Sequence, residues 1–221
     1  MALETAQIQG IIWDLDNTLY RFTDEFITAC NVAAAKAAQN LGIELSYEDT
    51  LKLAERSEAE HGYSMHGYVT DHGLSYADLH FPFHQNIDET VVEPIAGAIE
   101  ALEVFQGRQV ILTNASRCWA ERILKYVGID HLFEDQDIIP MEDVGFKAKA
   151  SNDQGYLKGV ELLNFKPEEV LMVDDLDRNL KQAKSVGLHT VYMHHGDPMP
   201  ELPDFIDDQS ENLVSLINFL G

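Results

Sequence analysis

The amino-acid sequence predicts an α/β protein with a parallel sheet and a block of helices inserted after the first strand. Short apolar runs alternate with segments of helical periodicity along most of the chain. Such alternation is typical of strand–helix–strand units with parallel, buried strands. The segment 22–90 breaks it, because it contains no strand-like run. We therefore expect residues 1–20 and 91–221 to form the α/β core and residues 21–90 to form a helical domain.

The strands of the expected core are short. The first spans residues 8–13 and runs directly into acidic residues, which suits a buried parallel strand whose carboxyl end reaches a site. Further strands are expected at 109–112, 170–173 and 190–193, with a weaker one at 137–139. Residues 196–208 are rich in proline and aspartate, so we expect a surface loop there, before a last helix near 210–219.

Helical patterns separate these strands. They cover residues 94–105, 117–127, 154–163 and 179–186. Gly128, Asn164 and Gly187 follow the last three and are typical of helix ends. In the inserted segment, helices are expected at 24–39 and 46–60. The second of these begins with Ser46 and Asp49, a capping pair.

Composition limits the classes of partner. The chain has 15 Lys and Arg against 38 Asp and Glu, a formal net charge of −23. Such a charge repels nucleic acids and anionic membranes, so neither is an expected partner. We expect no membrane span and no signal peptide. The two cysteines, Cys30 and Cys118, lack metal-ligand spacing and are interpreted as reduced thiols, which favours a cytoplasmic protein.

Asp14 and Asp16 follow the first predicted strand. Side chains alternate along a strand, but two such carboxylates can converge where the chain begins to turn. Brought together, they can hold a hard cation, and one can attack phosphorus while the other handles a proton. Alone, the pair is equally compatible with solvated aspartates in a turn.

Polar residues also follow the other predicted strands. Thr113 and Asn114 come after the second, Lys147 and Lys149 lie in a later loop, and an acidic cluster with Asp174 and Asp175 ends the fourth. Each has an ordinary explanation, such as a turn threonine, a solvated lysine or an acid at a helix start. Because open α/β sheets bind ligands at the carboxyl ends of their strands, the combination predicts one site.

The order of these motifs resembles that of the haloacid dehalogenase-like phosphohydrolase superfamily, over nearly the whole chain. The resemblance implies a Rossmann-like three-layer core with a parallel sheet and a helical cap inserted after the first strand. It also implies a nucleophile at Asp14 and a proton donor, later a base, at Asp16. By the same resemblance, Thr113, the backbone of Asn114 and a lysine are expected to bind the phosphoryl oxygens. The implied cofactor is Mg²⁺, held by Asp14, the backbone carbonyl of Asp16, and Asp175.

Two assignments depart from the family pattern. The family usually shows Lys-Pro-x-Pro with an aromatic residue six positions after the lysine. Here Lys149 lies seven positions before Tyr156 and Lys147 nine, and alanines replace the prolines, so we prefer Lys149 and keep Lys147 as the alternative. Asp175 matches the metal-binding position, twelve before Gly187, while Asp174 remains a possible ligand. Asn179 stands where the family has a second acid.

Phosphate chemistry is favoured over dehalogenation, because a dehalogenase has little use for Asp16 or Asp175. The motif Asp14–Tyr20 (DLDNTLY), the run 61–68, the segment 84–88 and the paired Asp174 and Asp175 resemble the pyrimidine 5′-nucleotidase branch. The expected substrate is a small phosphorylated metabolite, a nucleoside 5′-monophosphate. The alternatives are phosphoglycolate or a sugar phosphate, a catalytically silent binding protein and, less favoured, a 2-haloacid dehalogenase.

The inserted segment and one core position carry further candidates. Tyr63, Tyr68 and His84 are candidates for substrate contact from the cap. His80 and His84 have the i, i+4 spacing of a zinc pair, although unliganded histidines are the simpler interpretation. Trp119 stands where relatives often have histidine. The sequence does not indicate an oligomeric state.

Overall fold

The structure is a computed structural model that describes residues 7–221. The chain divides into two compact units. The core unit joins the segment up to Arg21 to Pro94–Gly221, and the helical unit spans Phe22–Glu93. The expectations that residues 1–6 join the core and carry no signal peptide lie outside the described residues.

In the described residues 7–221, eight strands form two sheets. In chain order they are β1 (Gly10–Trp13), β2 (Tyr20–Phe22), β3 (Val92–Pro94), β4 (Arg108–Leu112), β5 (Ile138–Ile139), β6 (Val170–Asp174), β7 (His189–Met193) and β8 (Asp208–Ser210). Six of them make a parallel sheet with the order β5-β4-β1-β6-β7-β8. Strands β2 and β3 pair separately, where the chain passes from one unit to the other and back.

Strand β1 lies at the centre of the large sheet. Ile12 pairs with Val110 of β4 on one side and with Met172 of β6 on the other. All four residues of β1 are buried, as expected of a parallel strand covered on both faces. Because the strands are parallel, the residues that follow β1, β4 and β6 emerge at one edge of the sheet.

Nine helices of α type occur in residues 7–221. They are α1 (Phe26–Asn40), α2 (Tyr47–His61), α3 (His66–Thr70), α4 (Tyr76–Gln85), α5 (Ala98–Val104), α6 (Arg117–Val127), α7 (Gln154–Leu163), α8 (Asp177–Ser185) and α9 (Leu213–Leu220). The last five flank the parallel sheet, which confirms the predicted α/β fold class. Helix α6 has the expected bounds because Ser116 caps its start and Gly128 ends it with a φ of 82°.

Two glycines bring α7 close to the sheet. A methyl group on Gly155 would come within 2.6 Å of Leu112, and one on Gly159 within 2.7 Å of Ile12. Both contacts are shorter than packed side chains show, so added methyl groups would force the ends of Leu112 and Ile12 to shift within the core. The loop that carries Lys149 leads into this closely packed helix.

The helical unit has its own apolar core. Ala34, Ala37 and Ala38 of α1 are buried against Leu53, Tyr68 and Leu79. Helix α2 begins at Ser46, whose hydroxyl accepts a hydrogen bond from the Asp49 backbone, and ends at Gly62. The small alanine side chains allow the helices to approach closely.

Several expected boundaries were wrong. Strand β1 begins at Gly10, and α5 begins at Ala98 because Val92–Pro94 forms a strand. Residues 208–210 form the edge strand β8 instead of part of a loop, so the last helix begins at Leu213. Helices α3 and α4 were not predicted. No helix among residues 7–221 has the length and apolar character needed to cross a membrane. Neither Cys30 nor Cys118 is in a disulfide.

Candidate active site

The nucleophile candidate Asp14 lies at the carboxyl end of β1. Its backbone N–H donates to Val173 of β6 at 2.9 Å, which fixes the backbone before the chain turns. The carboxylate is buried and accepts hydrogen bonds from Lys149 Nζ on one oxygen and from Thr18 Oγ1 on the other, at 3.2 Å. Asp14 is therefore held between a cation and a hydroxyl.

The carboxyl end of β6 provides Asp174 and Asp175. Asp174 is fully buried, and Oδ1 accepts from the Leu176 backbone at 2.9 Å. Asn179 Nδ2 contacts both of its oxygens, and Lys149 Nζ donates to Oδ2 at 2.6 Å. Every acceptor oxygen of Asp174 is thus engaged by a protein donor. Asp175 is partly exposed and accepts one hydrogen bond, from Asn17 Nδ2 at 2.9 Å.

Lys149 is the lysine that lies among these carboxylates. It begins the 3₁₀ turn Lys149–Ser151, and its backbone N–H donates to Asn114 Oδ1 at 2.9 Å. Its ammonium bridges Asp14 and Asp174. Burial alone would lower the pKa of Lys149, but the two carboxylates outweigh burial and raise it. Lys147, the alternative, is exposed.

The charged cluster has an excess of carboxylates. Asp14, Asp174 and Asp175 each offer an oxygen within 4.8 Å of the others, with Lys149 as the cation that bridges two of them. Burial, and then repulsion from Asp174, raises the pKa of Asp14 well above its usual range and the pKa of Asp175 to about 7. A hard-oxygen donor set with unbalanced negative charge fits a divalent cation such as Mg²⁺.

Asp16, by contrast, is surrounded by neutral donors. Oδ1 accepts from Tyr20 Oη and from Trp119 Nε1, the latter at 2.8 Å. Thr113 Oγ1 lies 3.4 Å from Oδ2 and accepts a hydrogen bond from the Ala115 backbone. Burial raises the pKa of Asp16, while the hydrogen bonds from Tyr20 and Trp119 oppose that rise. A carboxyl group in such surroundings can hold a proton.

Several contributing residues were missed by reasoning from the sequence. Asn17 has a left-handed backbone, with a φ of 58°, and presents its amide to Asp175. His195 Nε2 lies 2.5 Å from the Asn17 carbonyl oxygen. No pattern in the sequence connects residue 195 with residue 17. The sequence did single out Trp119, because its position departs from the family pattern. It did not indicate that the indole contacts Asp16.

The substrate candidates of the inserted segment make packing contacts within the helical unit. Tyr68 is fully buried, and its hydroxyl donates to the Thr50 carbonyl at 2.7 Å. His84 is buried with Nδ1 2.7 Å from the His80 carbonyl oxygen. The Tyr63 ring packs on Tyr76 with centroids 5.6 Å apart.

Comparisons with known proteins agree with this architecture. The family model for haloacid dehalogenase-like hydrolases matches residues 8–187. Glyceraldehyde 3-phosphate phosphatase of Methanocaldococcus jannaschii is 24% identical over 96% of this chain and 98% of its own length. The protein of that name from Pyrococcus furiosus is 27% identical over 86% and 82%. The crystal structure of a HAD phosphatase from Thermococcus onnurineus has a TM-score of 0.65 and 20% identity, covering 97% of this chain and 98% of that one.

Proposed function

The chain belongs to the haloacid dehalogenase-like hydrolase family, and we propose that it is a divalent-metal-dependent phosphatase acting on a small sugar phosphate. One observation carries the proposal. Asp14, Lys149 and the Asp174–Asp175 pair form a charged cluster, buried except for Asp175, at the edge where β1 and β6 end. Such a cluster suits an attack by a carboxylate on an anionic phosphoryl group.

In the first chemical step, Asp14 attacks phosphorus. A bond forms between a carboxylate oxygen and phosphorus, and the bond from phosphorus to the ester oxygen breaks. Asp16 transfers its proton to the departing oxygen, so the product leaves as a neutral alcohol and Asp16 becomes a carboxylate. In the second step Asp16 takes a proton from water, the water oxygen attacks phosphorus, and the bond to Asp14 breaks. Inorganic phosphate is released and Asp16 is protonated again.

The residues around Asp14 have complementary tasks. Lys149 orients the nucleophile and offsets charge on the phosphoryl oxygens. Thr113 and the Asn114 backbone follow β4 at the same edge and are the proposed phosphoryl-oxygen donors. Asn114 has a second task, because its side chain accepts from the Lys149 backbone and so holds the lysine loop.

The proposed cation is Mg²⁺, held by Asp14, Asp175 and the backbone carbonyl of Asp16. Asp174 is fully buried and its two oxygens take part in four hydrogen bonds, more than those of Asp14 or Asp175, so we assign Asp174 to the placement of Lys149 rather than to the metal. When bound, a divalent cation offsets the repulsion between an attacking carboxylate and a phosphate. Asn17 orients Asp175 toward this task through its amide.

The proposed substrate is a sugar phosphate rather than the nucleotide first expected. The two curated relatives are glyceraldehyde 3-phosphate phosphatases, whereas support for a pyrimidine nucleotidase rested on sequence motifs. Tyr68 and His84, two of the candidates for contact with a nucleotide, are buried in the helical unit. The helical unit remains the proposed cap, with Tyr63 as the more accessible of the three candidates.

A substrate screen tests the proposal. Purified protein with Mg²⁺ is offered triose and hexose phosphates, phosphoglycolate, nucleoside monophosphates and 2-chloropropionate, and released phosphate or chloride is measured. We expect phosphate release, fastest from a sugar phosphate, and none from Asp14→Asn. Preference for nucleotides would restore the first expectation. Chloride release would establish a dehalogenase, and a uniformly negative screen would favour a silent binding protein.

A further inference from the structure

Trp119 and Tyr20 form a hydrogen-bonded unit on one oxygen of Asp16. The indole Nε1–H lies 2.8 Å from Asp16 Oδ1 and 3.1 Å from Tyr20 Oη, and Tyr20 Oη in turn contacts Oδ1. Tyr20 and Trp119 are both almost fully buried, while Asp16 is partly exposed. The carboxyl group of Asp16 is therefore held by hydrogen bonds from two buried aromatic side chains.

The direction of these hydrogen bonds is determined by chemistry. An indole N–H is a donor only, so Trp119 donates both to Asp16 and to Tyr20. With its oxygen accepting from the indole, the Tyr20 hydroxyl is left to donate to Asp16 Oδ1. That oxygen thus faces two donors. A proton on Oδ1 would point at another hydrogen and cost at least one of the two bonds.

We infer that Trp119 and Tyr20 are positioning residues that fix Asp16 Oδ1 as an acceptor and leave Oδ2 as the oxygen that carries the transferred proton. The inference rests on the proposed phosphatase function. Oδ2 faces the Thr113 hydroxyl at 3.4 Å, which can accept as well as donate, so a proton on Oδ2 can be accommodated there. During the first step, the Oδ2–H bond breaks as the proton moves to the ester oxygen, while Oδ1 keeps its two donors. In the second step the same oxygen, Oδ2, takes the proton from water. The carboxyl group therefore does not need to rotate between the two steps.

The surroundings of Trp119 keep its indole in place. Trp119 lies in the first turn of α6, where its backbone N–H is 3.1 Å from the Ser116 carbonyl oxygen. The guanidinium of Arg122 lies 5.7 Å from the centre of the ring. The helix start after β4 thus sets the position of the indole, and through it the orientation of the proton donor. Orientation of this kind is a major source of catalytic rate.

Leaving-group dependence provides the test. An alkoxide, as in glyceraldehyde 3-phosphate, needs a proton to depart, whereas p-nitrophenolate departs without one. The quantity compared is kcat/KM, because it reports the steps up to release of the leaving group. For Trp119→Phe and for Tyr20→Phe we expect kcat/KM to fall roughly 10- to 100-fold with glyceraldehyde 3-phosphate and less than about 3-fold with p-nitrophenyl phosphate.

Matched variants separate positioning from packing. Trp13→Phe removes the other tryptophan, whose Nε1 donates to Gln109 at 2.9 Å, and should leave the ratio of the two kcat/KM values unchanged. Tyr20→Phe keeps the shape of the side chain, so it remains informative if Trp119→Phe fails to fold. In the double variant, the loss should be smaller than the product of the single losses, because both donors act on one oxygen.

The outcomes are distinct. Equal losses with both substrates, or no loss with either, would overturn the inference while the phosphatase function stands. A wild-type protein inactive with both phosphate esters, and with all others screened, would overturn the proposed function and the inference with it.

Discussion

Asp14 and Asp16 follow the same strand, separated by one residue, yet their carboxylates have opposite kinds of neighbours. Asp14 lies among charges, with Lys149 bridging it to Asp174 and with Asp175 nearby. Asp16 accepts hydrogen bonds from a phenol, an indole and a hydroxyl, none of them charged. Burial and Asp174 raise the pKa of Asp14, so the first environment suits an ionised nucleophile once a divalent cation is bound. The second suits a group that gains and loses a proton, and this difference is the basis of the roles that we propose.

Removal of the cation from the charged side should have the largest effect. Lys149→Met leaves Asp14 and Asp174 buried without their common partner, which costs about 3–5 kcal/mol of unfolding free energy. It also removes a donor for the phosphoryl oxygens, so kcat/KM should fall by about 10²- to 10³-fold. Urea unfolding and phosphate release measure the two effects.

Lys147→Met is the matched control for that substitution. Lys147 is exposed, so its loss should change both quantities little. If Lys147→Met were as damaging as Lys149→Met, the assignment of Lys149 as the lysine of the site would be wrong.

Mg²⁺ affinity should depend on pH through Asp175. Burial and the neighbouring Asp174 raise the pKa of Asp175 to about 7. Below that pH the cation must displace a proton from Asp175, so this group should weaken affinity by up to about tenfold for each pH unit, and its contribution should level off above pH 7. Calorimetric titrations between pH 5.5 and 8.5 measure this. An equal affinity at both ends would contradict the account, and Asp175→Asn should flatten the curve.

The same shift changes the stability of the metal-free protein. A raised pKa means that the folded state holds a proton which the unfolded state releases near the ordinary aspartate value. The contribution of Asp175 to stability is therefore lost as pH rises toward 7. Without Mg²⁺ at pH 8, Asp175→Asn should melt at a higher temperature than the wild type. A lower melting temperature at that pH would show that Asp175 is stabilised by its charge.

The smallest effect is expected in the helical unit. Tyr68→Phe removes a buried hydroxyl that donates to the Thr50 carbonyl at 2.7 Å, which should cost about 1–3 kcal/mol of unfolding free energy. Because Tyr68 is fully buried among packed side chains, kcat/KM should change less than about 2-fold. A large rise in KM with little loss of stability would instead make Tyr68 a substrate contact.

The fold could be predicted where local signals and burial agree. Helix α6 has both a capping residue, Ser116, and a glycine end, Gly128, and its bounds matched the expectation. Strand β8 was missed because Asp208–Ser210 is polar and only partly buried, so its pairing with β7 leaves no apolar pattern. Helix α4 was missed because Pro82 lies inside it, where a proline usually ends a helix.

The site could be predicted as a set of strand ends but not as a set of contacts. Spacing favoured Lys149 but could not exclude Lys147, because a loop has no periodicity from which the direction of a side chain can be read. The bond from the Lys149 backbone to Asn114 makes that choice, and it joins residues far apart in the chain. Likewise, Trp119 was noted as a departure, but its contact with Asp16 depends on how α6 packs against the turn after β1.

The central claim is that Asp14, the carboxylate that lies among charged neighbours, becomes covalently phosphorylated. Enzyme mixed with Mg²⁺ and the best substrate of the screen is quenched in acid during turnover, digested and analysed by mass spectrometry. The account predicts one phosphoryl group on the peptide that contains Asp14, located on that residue, and none in Asp14→Asn. A phosphoryl group on Asp16 or elsewhere, or full turnover by Asp14→Asn, would contradict it.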